Sequence, residues 1–240
     1  RAADYSRLDE ADDAYLDYTG AGIYAASQVR RHTELLASSL LGNPHSASPA
    51  SLGATHLVER ARRAVLDWFN AGDQYTAIFT LNATGALKHI GESYPFASGG
   101  RLLLTVDNHN SVNGIREFAV ARGASVSYAP LTAPELRVDE PQLERLLAAS
   151  DRHANNLFAF PAQSNFSGVK HPLELVERAH ACGWDVLLDA AAFVPTNRLD
   201  LQRVSPEFVC VSFYKMFGYP TGVGCLLLKN RALAKLRPPW

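Results

Sequence analysis

The chain has 240 residues, 47% of them apolar, a formal net charge of −1 and three cysteines. That is enough for one large α/β domain burying both faces of a central sheet. A charge so near zero supplies no field to draw nucleic acid or an anionic membrane, so neither is expected as a partner. No run approaches the ~18 apolar residues needed to span a bilayer, and Arg1-Ala2-Ala3-Asp4 holds no apolar signal core, so cytoplasmic residence is the default expectation.

In chain order, the patterning predicts helices over 25–41 and 54–70, a strand over 77–81, a helix over 84–93 and a strand over 101–106. A helix over 112–122 and a strand over 125–129 follow, then a surface loop over 132–139 and a helix over 140–149. The remainder reads as a strand over 156–161, a helix over 173–181, strands over 185–189, 208–212 and 224–229, and a helix over 231–236. Strands alternating with helices imply an α/β fold, a seven-stranded, mostly parallel sheet with helices on both faces. Residues 1–24 read as an N-terminal segment and 25–240 as the ligand-binding domain. Leu57, Ala61, Ala64, Val65 and Phe69 recur at helical spacing and predict a buried stripe. Gly72, Gly123 and Gly183 stand where helices should end. Cys182, Cys210 and Cys225 show no C-x-x-C spacing, so no metal site, redox pair or disulfide framework is implied. Cys210 and Cys225 lie in apolar runs and are expected to be buried; Cys182 ends a helix and is expected to be partly exposed.

The chemistry is concentrated where strands end. After 78–81, Asn82-Ala83-Thr84-Gly85 opens a helix; small residues there let backbone N–H groups reach a phosphate, and the helix dipole favours an anion. Thr84 adds a hydroxyl, and Ser212 and Thr221 are further candidates for the same cup. After 102–106 comes Asp107-Asn108-His109, whose imidazole can stack on a flat ring or relay a proton. After 157–160 comes a polar run in which Asn165 can donate to a ring oxygen. Val186-Leu187-Leu188 leads to Asp189, a carboxylate suited to holding the proton of a pyridine nitrogen. The run 208–211 leads to Ser212-Phe213-Tyr214-Lys215, and a desolvated lysine amine forms Schiff bases with aldehydes such as pyridoxal phosphate. Each feature alone has an ordinary reading: a capped helix start, a loop histidine, turn chemistry, an N-cap aspartate, a solvated lysine. His45, Arg116 and Arg198 read as structural or surface residues. Gly20-Ala21-Gly22 has Ala25 at the third position of a dinucleotide fingerprint and no strong strand before it, which disfavours a Rossmann dehydrogenase.

Cradle, stacking ring, ring-oxygen donor, carboxylate and lysine, each after its own strand, resemble the class V aminotransferase family of fold-type-I pyridoxal-phosphate enzymes, which includes the cysteine desulfurases. The resemblance runs from Tyr15 to about Lys229 and is strongest toward the molybdenum-cofactor sulfurase branch, through 42–46, 161–168, 187–191 and 212–224. It implies pyridoxal 5′-phosphate as cofactor, held by Ala83, Thr84, His109, Asn165, Asp189, Ser212 and Lys215, with Lys215, Asp189 and His109 catalytic and Lys215 the Schiff-base residue. Two departures stand out: Tyr214 where desulfurases usually carry His, and Ala192 where they usually carry a Gln that reaches the phenolic oxygen. The resemblance further implies a homodimer, an amino-acid substrate (cysteine favoured), a sulfur acceptor, and a smaller C-terminal domain beyond Trp240 carrying the substrate-binding arginine and persulfide cysteine. The chain is therefore expected to be part of a longer protein. Alternatives are an aminotransferase, lyase or epimerase acting on another amino acid, or a non-catalytic scaffold domain.

Overall fold

The structure is a computed structural model and describes residues 2–238. The chain opens with α1 (Ala2–Glu10), α2 (Ala26–Ser38) and α3 (Pro49–Trp68), followed by β1 (Tyr75–Thr80), α4 (Ala83–Ser93) and β2 (Arg101–Thr105). Next come α5 (Asn110–Asn113), α6 (Ile115–Ala121), β3 (Ser125–Ala129), β4 (Leu131–Thr132), β5 (Arg137–Val138), α7 (Glu140–Ala148) and β6 (Asn156–Pro161). The last part holds α8 (Leu175–Ala181), β7 (Asp185–Asp189), β8 (Phe208–Ser212), α9 (Phe213–Phe217), β9 (Gly224–Lys229) and α10 (Asn230–Leu233). Among these residues no helix is long and apolar enough to cross a membrane.

The main sheet has the order β1-β9-β8-β7-β6-β2-β3. Strands β3, β2, β6, β7 and β8 run parallel, and β9 runs antiparallel to both of its neighbours. Every residue of β6, β8 and β9 is buried, as expected of strands covered on both faces. One apolar layer gathers Leu103, Phe158, Phe160, Leu188, Val209 and Leu227; the other gathers Leu87, Ile90, Leu102, Leu157, Leu187 and Phe208. The carboxyl ends of β2, β6, β7 and β8 open on one rim, where ligands of open α/β sheets bind.

Local departures from the sequence expectations have identifiable causes. Helix α3 starts five residues before the predicted 54, because Ser48 caps it by accepting from Ser51 N (3.3 Å) and Pro49 fills the first helical position. The predicted helix over 112–122 divides at Gly114 into α5 and α6. The expected surface loop 132–139 is a small ribbon in which Leu131 pairs with Val138. In the segment 1–24, Asp4 accepts from Ser27 N at 2.8 Å and ties α1 to the start of α2. The predicted stripe is only partly buried: Phe69 is 1% exposed and Val65 packs on the core, while Ala61 and Ala64 are exposed, as is the neighbouring Trp68 (67%). Ala61, Ala64, Trp68, Phe79, Met216 and Phe217 line an open apolar groove instead.

Lys215 stands in the helical turn α9 rather than in a loop. The turn ends at Gly218, whose φ of +76° only glycine adopts without strain. A Cβ there would lie 2.5 Å from both Gly22 O and Tyr24 N, because the 22–24 segment crosses the end of the turn and Gly22 N donates to Tyr214 O (2.9 Å). Gly218→Ala should therefore destabilise the fold by about 2 kcal/mol or more, read as a lowered urea midpoint; an unchanged midpoint would mean that the 22–24 crossing does not hold in solution.

Candidate active site

Thr80, Gly224 and Ser212 form one cross-strand row where β1 and β8 end and β9 begins. Gly224 has room only for hydrogen, since a Cβ would meet Asn82 C at 2.5 Å; this close approach seats the start of α4 on the row. Ala83 N then donates to Ser212 Oγ at 2.9 Å, and Gly85 N donates to Asn82 Oδ1, the helix cap, at 2.9 Å. The N–H of Thr84 stays uncommitted among the described residues and its hydroxyl lies 2.7 Å from Ser111 Oγ. A helix N-terminus with a free N–H and two hydroxyls is a site for an anion.

Asp189 ends β7, level with Pro161 of β6, and is 7% exposed. Oδ1 accepts from Ala191 N at 3.0 Å, and no other hydrogen bond or ion pair engages the carboxylate among the described residues. Burial pushes its pKa up; the Ala191 N–H and the charges of Lys215 and His109 oppose that rise without cancelling it. A buried carboxylate with one uncommitted oxygen is suited to a cationic N–H from a ligand. Lys215, half-buried, likewise has no hydrogen bond or ion pair among the described residues, so its amine is free to react.

His109 caps α5. Its Nδ1 accepts from Ser111 N at 3.1 Å and lies 2.9 Å from Ser111 Oγ. A backbone N–H can only donate, so a neutral ring carries its proton on Nε2. Ser111 thereby links the imidazole to Thr84 and the anion cradle. Two residues earlier, Asp107 meets His171 Nε2 at 2.9 Å, both side chains buried. Burial raises the Asp107 carboxyl, but the hydrogen bond and charge of His171 outweigh it and hold the pKa below its usual range. His171 N donates to Ala162 O (3.1 Å) and Ser164 N to Val169 O (2.9 Å). The pair thus fastens the 162–171 loop, which bears Asn165, to the loop that bears His109.

Ala83, Thr84, His109, Asn165, Asp189, Ser212 and Lys215 all line one pocket, together with Ser111, Gln163 and Ala192. Its cavity measures about 70 Å³ and opens to solvent. An anion cradle at one side, a free amine, a buried carboxylate and an imidazole together suit a flat, phosphorylated heterocycle bearing an aldehyde. Thr221 is exposed and does not line the pocket. Nor do His45, Arg116 and Arg198; Arg116 pairs with Glu117 on the surface (3.0 Å). Sequence reasoning missed Ser111, whose signal was its position two residues after His109, and Gln163, which lay unremarked in the polar run after 157–160. It also missed the Asp107–His171 pair, which no local pattern announces.

Residues 14–240 match the aminotransferase class-V family. The chain is similar to a protein of Solanum lycopersicum described as molybdenum cofactor sulfurase, at 38% identity over 98% of this chain and 32% of the relative. It is also similar to one of Homo sapiens with the same description, at 40% identity over 100% of this chain and 28% of the relative. It therefore spans about a third of the length of these curated relatives. Among solved structures it resembles a cysteine desulfurase of Escherichia coli, with a TM-score of 0.80 and 26% identity, covering 99% of this chain and 59% of the other.

Proposed function

The chain belongs to the aminotransferase class-V family, and from that premise we propose that residues 25–240 bind pyridoxal 5′-phosphate as the cofactor-bearing part of a cysteine desulfurase-like sulfurtransferase. The observation that carries the reading is the meeting of Lys215, Asp189, His109 and the Ala83–Thr84–Ser212 cradle in one pocket. When bound, the cofactor would supply an electron sink for negative charge at the substrate α-carbon.

Everything else falls to residues of the chain. The first turn of α4, with Thr84 and Ser212, holds the phosphate. Lys215 Nζ would hold the aldehyde carbon and would serve as the general base at the substrate α-carbon. Asp189 keeps a proton on the ring nitrogen, and the rise in its own pKa places the two groups closer in proton affinity than an exposed carboxylate would be. His109 would cover the ring and Asn165 would donate to its phenolic oxygen. The apolar layer behind Asp189 keeps water from that carboxylate. Cysteine as substrate and a sulfur acceptor rest on the likeness to the sulfurases and to the desulfurase. Homodimerisation rests on the family resemblance, and cytoplasmic residence on composition and charge.

Pyridoxal phosphate titrated into the purified chain should produce an absorbance band that the free cofactor lacks. Borohydride reduction and peptide mapping should then place the covalent adduct on Lys215. A folded chain that gives no band, or an adduct on another lysine, overturns the reading. Cysteine added to the loaded chain should yield alanine; pyruvate in its place would move the assignment to a lyase.

A further inference from the structure

The imidazole of His109 is tethered by one residue. Ser111 N donates to Nδ1 at 3.1 Å, and Ser111 Oγ lies 2.9 Å from the same nitrogen. His109 is exposed, and its Nε2 has no hydrogen-bond partner among the described residues. On the other side, Ser111 Oγ lies 2.7 Å from Thr84 Oγ1, beside the free N–H in the first turn of α4. His109, Ser111 and Thr84 all line the pocket.

Counting protons fixes what this row can do. It holds one ring nitrogen and two hydroxyls, and each hydroxyl has one proton to give. Nδ1 receives the Ser111 N–H, so in the neutral ring it carries no proton of its own. The 2.9 Å contact is then a hydrogen bond only if the Ser111 O–H points at Nδ1. With that proton spent, the 2.7 Å contact between the hydroxyls must use the proton of Thr84. As the row stands, both hydroxyl protons run toward the imidazole. An anion at the Thr84 N–H that also accepts the Thr84 O–H reverses the row. The contact between the hydroxyls then needs the Ser111 proton, and Nδ1 keeps the backbone N–H alone. Resting on the phosphate-cradle reading above, we propose that Ser111 is a positioning residue that couples the cradle to His109: an anion taking the Thr84 hydroxyl turns the Ser111 proton from Nδ1 to Thr84 Oγ1 and loosens the imidazole. The ring is held by Ser111 until phosphate is seated, and is then free to settle over the rest of the ligand.

The test follows the nitrogen NMR signals of the His109 ring while inorganic phosphate is titrated into the parent chain, Ser111→Ala and Thr84→Val. It is run at pH 8, well above the ordinary imidazole range, so that the ring stays neutral. Each change removes one hydroxyl from a half-buried or exposed side chain, so both variants should melt as the parent does. In the parent, phosphate should move the Nδ1 signal toward that of a ring nitrogen with one donor fewer, while Nε2 keeps its proton. Ser111→Ala should show that signal before phosphate is added and should not move further. It should bind phosphate within about twofold of the parent, since it gives up no contact to the anion. Thr84→Val should bind about tenfold more weakly and, once saturated, should leave Nδ1 where it was. An equal phosphate-induced shift in all three proteins would mean that the charge of the anion acts through space, and overturns the relay. A shift lost in Ser111→Ala but kept in Thr84→Val would mean that Ser111 meets the anion itself, and overturns it as well. So does a parent that binds phosphate with no change at Nδ1. A parent that binds no phosphate fails one step earlier, at the cradle, and takes the relay down with it.

Discussion

With Lys215 replaced by alanine, the chain should fold as before, form no covalent bond to the cofactor, and turn substrate over at least about 10²–10⁴-fold more slowly, the range general-base catalysis contributes. Folding should survive because the side chain is half-buried and makes no hydrogen bond or ion pair among the described residues. The change also removes the positive charge that helps to hold down the pKa of Asp189, so the carboxylate should climb further and grip a ring N–H less well. Lys215→Arg separates the two effects. It keeps a cation near Asp189, but a guanidinium stays protonated and forms no Schiff base at neutral pH. Near-parent noncovalent cofactor affinity in the arginine variant, with lower affinity in the alanine variant, would assign the electrostatic part to the Asp189–Lys215 pair. An alanine variant that retains the parent absorbance band would remove Lys215 from the mechanism.

The second large effect lies far from the pocket. Glu207, 3% exposed, precedes β8 and accepts from three directions: His180 Nε2 of α8 at 2.8 Å, an Arg231 guanidinium N–H of α10 at 2.7 Å and Val186 N of β7 at 2.9 Å. Burial pushes its carboxyl up, but these partners outweigh burial and bring the pKa down to about 2. A carboxylate depressed in the folded state contributes stability that is fully present above its unfolded pKa, near 4.5, and is lost as pH falls toward 2. A shift of that size corresponds to about 3 kcal/mol. Glu207→Ala should cost about 3 kcal/mol at pH 7, since it strands the buried Val186 N–H and takes the carboxylate partner from His180 and Arg231. In a domain of this size that lowers the melting temperature by roughly 10 °C. The gap between parent and variant should narrow between pH 4.5 and pH 2. A gap that stays constant through that window would show that ionisation of Glu207 contributes nothing.

Much of the fold could be read from the chain because the central strands β6, β8 and β9 are short apolar runs buried on both faces and bounded by turn residues. The strands over 125–129, 156–161, 185–189, 208–212 and 224–229 fall where periodicity places them. Helix ends at Gly123 and Gly183 were legible for the same local reason: both adopt positive φ. The antiparallel insertion of β9 between β1 and β8 was not legible, since strand direction is chosen by pairing across more than 140 residues of chain between β1 and β9. The stripe that starts on α3 was legible only in part: Val65 and Phe69 meet the core, but Ala61 and Ala64 stay exposed, because amphipathic spacing says that a face is apolar, not how much of it this chain covers.

The site divides in the same way. Sequence alone determined which residue types stand at the strand ends and in what order, because each depends on an apolar run stopping where a polar side chain begins. Only the tertiary structure decided that Lys215 sits on a helical turn braced by Gly22, and that Asp107 reaches His171 across 64 positions. It alone decided that Asn197 Nδ2 comes within 3.3 Å of Gln163 Oε1 across 34 positions. Hydrogen bonds of 2.9–3.3 Å between such distant positions are set by strand register and loop path, and local periodicity carries no information about either.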